Sequence, residues 1–406
     1  MFNRFLLLFL VSSLAVAEAA QPDSTASEVP GSARNGTPWS AWIANSLMTE
    51  YPHYAVYDTS NIIWDYDQAL VEFAFWNVWK ETGDSVYLSY MKSNIDYYLS
   101  PTGRIKTYNF DQFRLDDILH GRTLLNLYSL THDPKYKYAA DTLRKQLSQQ
   151  PRTPEGGFWH KEIYPEQMWL DGLYMAEPFY AQYAAMFDRK QDFDDIVKQF
   201  VLMAKHARDS ATGLMYHGWD YSRKQKWSDP ATGCSPVFWA RAMGWYMMGL
   251  VDVLDYIPKN SRHRSELVSI LRRLSDSLVK YQDKKTSLWY QVVDKPGKEG
   301  NYLELSASSM FMYSFEKGAR KGYLPHKYSQ IALGVFKGLT SNLVRVDSSG
   351  LPVLTNICSG AGLGGIPYRD GSYQYYTSVP RRDNDFKGAG SFILGCVELE
   401  RAGLIK

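Results

Sequence analysis

Apolar residues recur at three- and four-residue spacing through most of this chain, the pattern of amphipathic helices. The spacing predicts helices over 39–48, 68–80, 86–99, 117–130, 136–147 and 170–186. It predicts more over 193–206, 236–256, 265–281, 303–318, 328–343 and 388–401. That makes about twelve, with few and short strand-like alternations between them. Short polar turns recur between neighbouring helices: Thr82-Gly83-Asp84 before Tyr87, Thr131-His132-Asp133 before Tyr136, and Arg189 to Asp192 before Phe193. Each offers an Asp to cap the next helix and an aromatic to anchor it. A loose period of roughly fifty to sixty residues, about six times over, points to helical hairpins set in a ring. The expected class is all-α, an (α/α)6 barrel of six helical hairpins. Long irregular segments at 151–167 and 350–385 interrupt the hairpins, and such loops in a compact domain are usually functional.

The two ends of the pattern differ. Arg4, the apolar run from Phe5 to Leu10 and on to Ala17, and small residues at Ala17, Ala19 and Ala20 read as a secretory signal peptide over 1–20. The run is too short for an ordinary membrane span, and no later segment is apolar for long enough. A secreted or periplasmic protein is expected. Residues 21–37 lack periodicity and read as a flexible linker, leaving 38–406 as the catalytic domain.

Composition narrows the class of partner. A formal net charge of +2 on 406 residues, without a basic stripe, argues against nucleic acid. Aromatic residues make up 15%, enough to hint at sugar stacking as well as core packing. Cys234, Cys358 and Cys396 allow at most one disulfide, match no zinc spacing, and are expected as small buried hydrophobes. A monomer is expected.

Two stretches concentrate possible chemistry. Gly156-Gly157-Phe158-Trp159-His160-Lys161 leads to Met168-Trp169-Leu170-Asp171-Gly172, where a Gly-rich turn brings a His and a Lys near an Asp opening a helix. That Asp could be a plain N-cap. Flanked by Trp169 and Tyr174, it could also be an acid that keeps its proton, as a general acid must. Leu115-Asp116-Asp117-Ile118 offers paired acids at another helix start, one to cap and one to face a pocket. His217 in a Tyr-His-Gly-Trp-Asp run and Arg241 on an apolar, aromatic helix between Trp239 and Trp245 complete the polar candidates. An Arg there is either paired with a structural acid or a clamp for a substrate carboxylate. The glycines of 359–365 follow no predicted strand and read as a loop over the barrel mouth, not a nucleotide cradle.

At these residues the chain resembles glycoside hydrolase family 105, the unsaturated rhamnogalacturonyl hydrolases. The likeness runs from Trp39 to the C-terminus. It includes Arg114-Leu115-Asp116-Asp117, 156–161, 168–175, 239–245, Glu304-Leu305-Ser306-Ala307-Ser308 and 368–372. Ser378-Val379-Pro380 departs from it, with Val379 where an acid is expected. The resemblance implies a pocketed barrel with no metal or other cofactor, acting on an oligosaccharide that ends in a 4,5-unsaturated uronic acid. It implies Asp171 as general acid and base for hydration of the C4=C5 bond, with Asp116 holding ring hydroxyls. His160, Lys161, His217 and Arg241 would line the pocket, with Lys161 or Arg241 meeting the carboxylate. Trp169, Trp239 and Trp245 would shape the subsite. Three other readings stand beside it: an unsaturated glucuronyl hydrolase for ulvan-type oligosaccharides, an inverting glycosidase using Asp171 and Asp116, and a non-enzymatic glycan-binding protein.

Overall fold

The computed structural model describes residues 34–54 and 63–406. The signal-peptide expectation over 1–20 and the linker expectation up to residue 33 lie outside the described residues. Residues 34–37 form a turn in which Arg34 donates to the carbonyl of Lys406, so this end of the expected linker is tied to the C-terminus.

Thirteen helices follow in the described residues. They are α1 (Trp39–Glu50), α2 (Tyr66–Thr82), α3 (Ser85–Tyr98), α4 (Gly121–Thr131), α5 (Pro134–Gln149) and α6 (Leu170–Met186). Then come α7 (Asp192–His206), α8 (Ala240–Val253), α9 (Arg262–Lys280), α10 (Leu305–Arg320), α11 (Lys327–Asn342), the short α12 (Tyr373–Ser378) and α13 (Phe386–Arg401). Helices α2, α4, α6, α8, α10 and α13 each touch the next, and α13 touches α2, which closes an inner ring. An outer helix backs each one: α3, α5, α7, α9 and α11 behind their predecessors, and α1 behind α13. The twelve long helices are therefore an (α/α)6 barrel, as the periodicity predicts.

The sequence explains which helix goes where. All fourteen residues of α8 are buried, and a helix apolar on every face apart from Arg241 and Asp252 belongs inside. Outer helices such as α5 bury one stripe, here Tyr136, Ala139, Ala140, Leu143 and Leu147. Hairpin turns behave as expected where Asp84 accepts from Val86 N and Asp133 from Lys135 N, each cap contributing about 1 kcal/mol. Tyr87 and Tyr136 are buried behind them. The third turn differs: Asp192 lies inside α7 and caps nothing, because Arg144 and Arg189 both take its Oδ2 at 2.8 Å. At the end of the ring where these turns lie, Asp252 of α8 meets Arg122 of α4 at 2.8 Å and Lys317 of α10 at 2.5 Å.

Because every inner helix runs the same way, their N-termini gather at the other end with the long connections. Two of these connections pair as a ribbon, β1 (Gln167–Trp169) against β2 (Gly218–Asp220), antiparallel with Trp169 opposite Gly218. Cys234, Cys358 and Cys396 are all free and buried. Among the described residues no helix is long and apolar enough to cross a membrane.

Candidate active site

The β1–β2 ribbon fixes the central pair. Asp171 follows β1 and His217 precedes β2, and Leu170 N donates to His217 O at 2.9 Å. Two further backbone bonds lace in the neighbouring loops: His160 N to Gln167 O at 2.9 Å and Leu115 N to His160 O at 3.1 Å. Asp116, His160, Lys161, Asp171 and His217 thus come from four segments stitched into one wall.

Asp171 does not cap α6. The cap position is Trp169, and Asp171 sits in the first turn with its side chain 13% exposed. Its Oδ2 lies 3.0 Å from His217 Nε2, though the imidazole is not aimed straight at it. On the other side of the ring, His217 Nδ1 is 2.6 Å from the Tyr376 hydroxyl. The flank of Asp171 is therefore an imidazole, with Trp169 edge-on to that same ring at 5.3 Å. Trp169 stacks on His160 (centroids 4.4 Å) and on Tyr164 (4.8 Å).

The paired acids also fail to cap. Residues Leu115–Ile118 form one 3-10 turn, and the helix expected from residue 117 starts at Gly121. Freed from capping, the two carboxyls take opposite electrostatic roles. Asp116 Oδ2 is 2.5 Å from Lys161 Nζ, and Oδ1 is 3.5 Å from His160 Nε2. Burial alone would raise the Asp116 carboxyl, but Lys161, His160 and Arg114 together hold it well below the usual carboxylate range. Asp117 is pushed up to about 8 by burial. Arg114 lies 3.5 Å from it but also serves Asp65 at 3.3 Å and Asp116 at 3.9 Å, so burial prevails. Burial lowers His160 to about 4, so its imidazole is neutral at ordinary pH.

A second tier lies deeper. Arg241, in the first turn of α8, is fully buried and donates through Nη1 to Cys358 O at 2.6 Å and Ser306 Oγ at 3.2 Å. Among the described residues its Nε and Nη2 have no acceptor. Trp239 stacks on Tyr376 (5.4 Å, 22°), and Trp245 packs between Tyr174 and Tyr66. Lys387, at the start of α13, lies 2.9 Å from both Asp67 and Asp385. Val379 is buried in the core, where an acid would be costly.

The loop over the mouth is pinned. Leu363 is buried with Tyr164, Trp169 and Trp227, and Arg369 donates to the Tyr164 hydroxyl at 2.6 Å. Among the described residues no group of three or more His, Cys, Asp or Glu is placed to hold a metal ion. The chemistry on offer is acid–base work on an anionic ligand, at a mouth where six helix N-termini add positive potential. Sequence reasoning left Tyr376, Asp117 and Arg114 without these roles. Arg114 and Asp117 stood inside a motif already singled out, whereas nothing local marks Tyr376.

Comparison with known proteins bears on the family and the fold. The model of Glycosyl Hydrolase Family 88 matches residues 39–403. A solved structure of a C. acetobutylicum glycoside hydrolase from family 105 is 40% identical with a TM-score of 0.86, covering 90% of this chain and 99% of that one. An Agrobacterium fabrum protein is 38% identical over 230 residues, 55% of this chain and 97% of its own length. The unsaturated rhamnogalacturonyl hydrolase YesR of Bacillus subtilis is 26% identical over 314 residues, 75% of this chain and 84% of its own.

Proposed function

The chain belongs to glycoside hydrolase family 105, within the span of the family 88 model, and from that premise we propose that it removes the terminal 4,5-unsaturated uronic acid of rhamnogalacturonan-type oligosaccharides. It is a glycoside hydrolase; the substrate and the proton steps are the proposal. The observation that carries it is Asp171, with Oδ2 against His217 and Oδ1 without a partner among the described residues, on the same wall as a Lys161-held Asp116. Asp171 gives its proton to C4, and positive charge develops at C5 and the ring oxygen. The resulting carboxylate then takes a proton from the water whose oxygen bonds to C5. The hemiketal so formed opens and releases the remaining sugar. One carboxyl serves both steps, so Asp116 is free to hold ring hydroxyls.

Two cations were candidates for the uronate carboxylate. Lys161 is already held by Asp116 at 2.5 Å, while Arg241 keeps two buried donor nitrogens open. That difference supports Arg241, whose planar fork suits a carboxylate. The signal-like run at Phe5 to Leu10 adds export from the cytoplasm to the proposal.

The test is a panel of lyase-generated disaccharides, unsaturated galacturonyl-rhamnose and unsaturated glucuronyl-rhamnose, followed by ultraviolet absorbance. Hydration destroys the conjugated enol ether, so absorbance falls with sugar release, fastest on the galacturonyl substrate. Asp171→Asn is expected to be slower by about a hundredfold or more. Sugar release with the absorbance retained would instead mark an ordinary inverting glycosidase. No turnover, with binding intact, would mark a glycan-binding protein.

A further inference from the structure

We propose that Tyr376 is a positioning residue: its hydroxyl donates to His217 Nδ1, which turns Nε2–H towards Asp171 Oδ2 and leaves Oδ1 as the oxygen that passes the proton. The assignment rests on the reading of Asp171 as acid and base. Tyr376 stands on α12, in the long segment that crosses the mouth, and meets His217 across 159 residues of sequence at 2.6 Å. It is completely buried. Burial keeps the phenol protonated, its pKa raised well above the ordinary value.

The direction of the hydrogen bond follows from counting donors and acceptors. A buried phenol has one proton to place, and among the described residues His217 Nδ1 is the acceptor within reach. A neutral imidazole that accepts at Nδ1 carries its hydrogen on Nε2. Nε2 is 3.0 Å from Asp171 Oδ2. The two atoms are in range but out of line, so a small rotation of either side chain lets His217 donate to Asp171, both when the acid is protonated on Oδ1 and when it is a carboxylate. One proton leaves Oδ1 for C4, one returns to Oδ1 from the attacking water, and His217 and Tyr376 keep theirs. With the opposite tautomer, the Nε2 lone pair would face a carboxylate oxygen and repel it halfway through the cycle.

Tyr376 is itself held in place, as a positioning residue must be. Its ring stacks on Trp239 at 5.4 Å. Its carbonyl accepts from Gln291 Nε2 at 3.1 Å, and Gln291 Oε1 accepts from Trp239 Nε1 at 3.1 Å. Gln291, Trp239 and Tyr376 form a closed frame that holds the Tyr376 backbone and ring.

The test uses Tyr376→Phe, which keeps the ring stack and removes only the donor. On the unsaturated galacturonyl-rhamnose disaccharide kcat is expected to fall about tenfold with KM within about twofold, the loss of one hydrogen bond felt in the transition state. Nitrogen-15 spectra of the imidazoles should show His217 as the Nε2–H tautomer in the wild type and as a mixture in the variant, with His217→Gln assigning the signal. A wild-type kcat and an unchanged tautomer in Tyr376→Phe would overturn the proposal. So would an Nδ1–H signal for His217 in the wild type, a result that needs no variant to fold. Should the wild type leave every unsaturated disaccharide intact, the activity reading fails by itself, and the spectra still decide the positioning.

Discussion

The Lys161 ammonium lies 2.5 Å from Asp116 Oδ2, with the two side chains 18% and 7% exposed, so one cation of the mouth is committed to an acid before any substrate arrives. That contact does most to offset the burial that would otherwise raise the Asp116 carboxyl. Removing it as Lys161→Met leaves a buried carboxylate with only His160 at 3.5 Å and Arg114 at 3.9 Å. Breaking a buried pair this way costs about 3 kcal/mol. The sign with pH follows from linkage. A depressed carboxyl adds stability above the unfolded value near 3.9 and loses it as pH falls through the folded value. The variant lacks most of that depression. Its stability deficit in denaturant melts is therefore widest at neutral pH and closes as acid protonates Asp116 in both proteins. A deficit independent of pH would show that Lys161 acts through packing alone.

Asp117 predicts the opposite slope. Its folded carboxyl titrates at about 8 against roughly 3.9 unfolded, so it stabilises below the lower value, and that contribution is lost as pH rises through the folded one. His160, at about 4 folded and 6.5 in its ordinary state, works the other way: its contribution is complete above 6.5 and is lost towards 4. Asp67, raised to about 6 by burial, has nearly finished titrating by pH 7. Between pH 7 and 8 the slope left by these three is chiefly that of Asp117, on the order of 1 kcal/mol. Tm should decline across that window in the wild type and stay flatter in Asp117→Asn. Equal declines in both would mean that Asp117 is ionised throughout.

The ring was legible in the sequence because outer helices such as α5 must show a wet face and a dry stripe, and because Asp84 and Asp133 cap where turns demand it. The expectation that one of the paired acids caps a helix failed for a physical reason. A 3-10 turn and an α-helix start with the same residue types, and only the chain direction after Ile118 separates them. The Asp171–His217 pair depends on the register of a three-residue ribbon, too short to leave a period. The contact between His217 and Tyr376 joins loops 159 residues apart and writes nothing into local spacing. Arg241 was visible as an oddity on an apolar helix, but not that two of its nitrogens would remain open.

Gly218 ties the mouth loop to that ribbon, and it offers a purely steric test. It is the first residue of β2, next to His217, and its backbone is not left-handed, so alanine brings no conformational strain. A Cβ there would lie 2.5 Å from Leu363 Cδ1 and 3.1 Å from Trp169 Cδ1. Leu363 is fully buried, and a Cβ on Gly371 would stand 2.7 Å from its other methyl, so it has little room to turn away. Gly218→Ala must therefore push the loop outward or shift the ribbon. Overpacking of this kind costs about 1–3 kcal/mol. If the loop yields, Leu363 and Arg369 part from Tyr164 and Trp169, substrate is held more loosely, and KM should rise several-fold with kcat little changed. If the ribbon yields, His217 moves against Asp171 and kcat falls instead. Gly334→Ala in α11 is the control: its Cβ would meet only Ser287 at 3.6 Å, an ordinary contact, and alanine is the better helix former. That variant should gain up to about 1 kcal/mol with both constants unchanged. Were Gly218→Ala to behave like it, the contact between mouth loop and ribbon would be too soft to govern substrate entry.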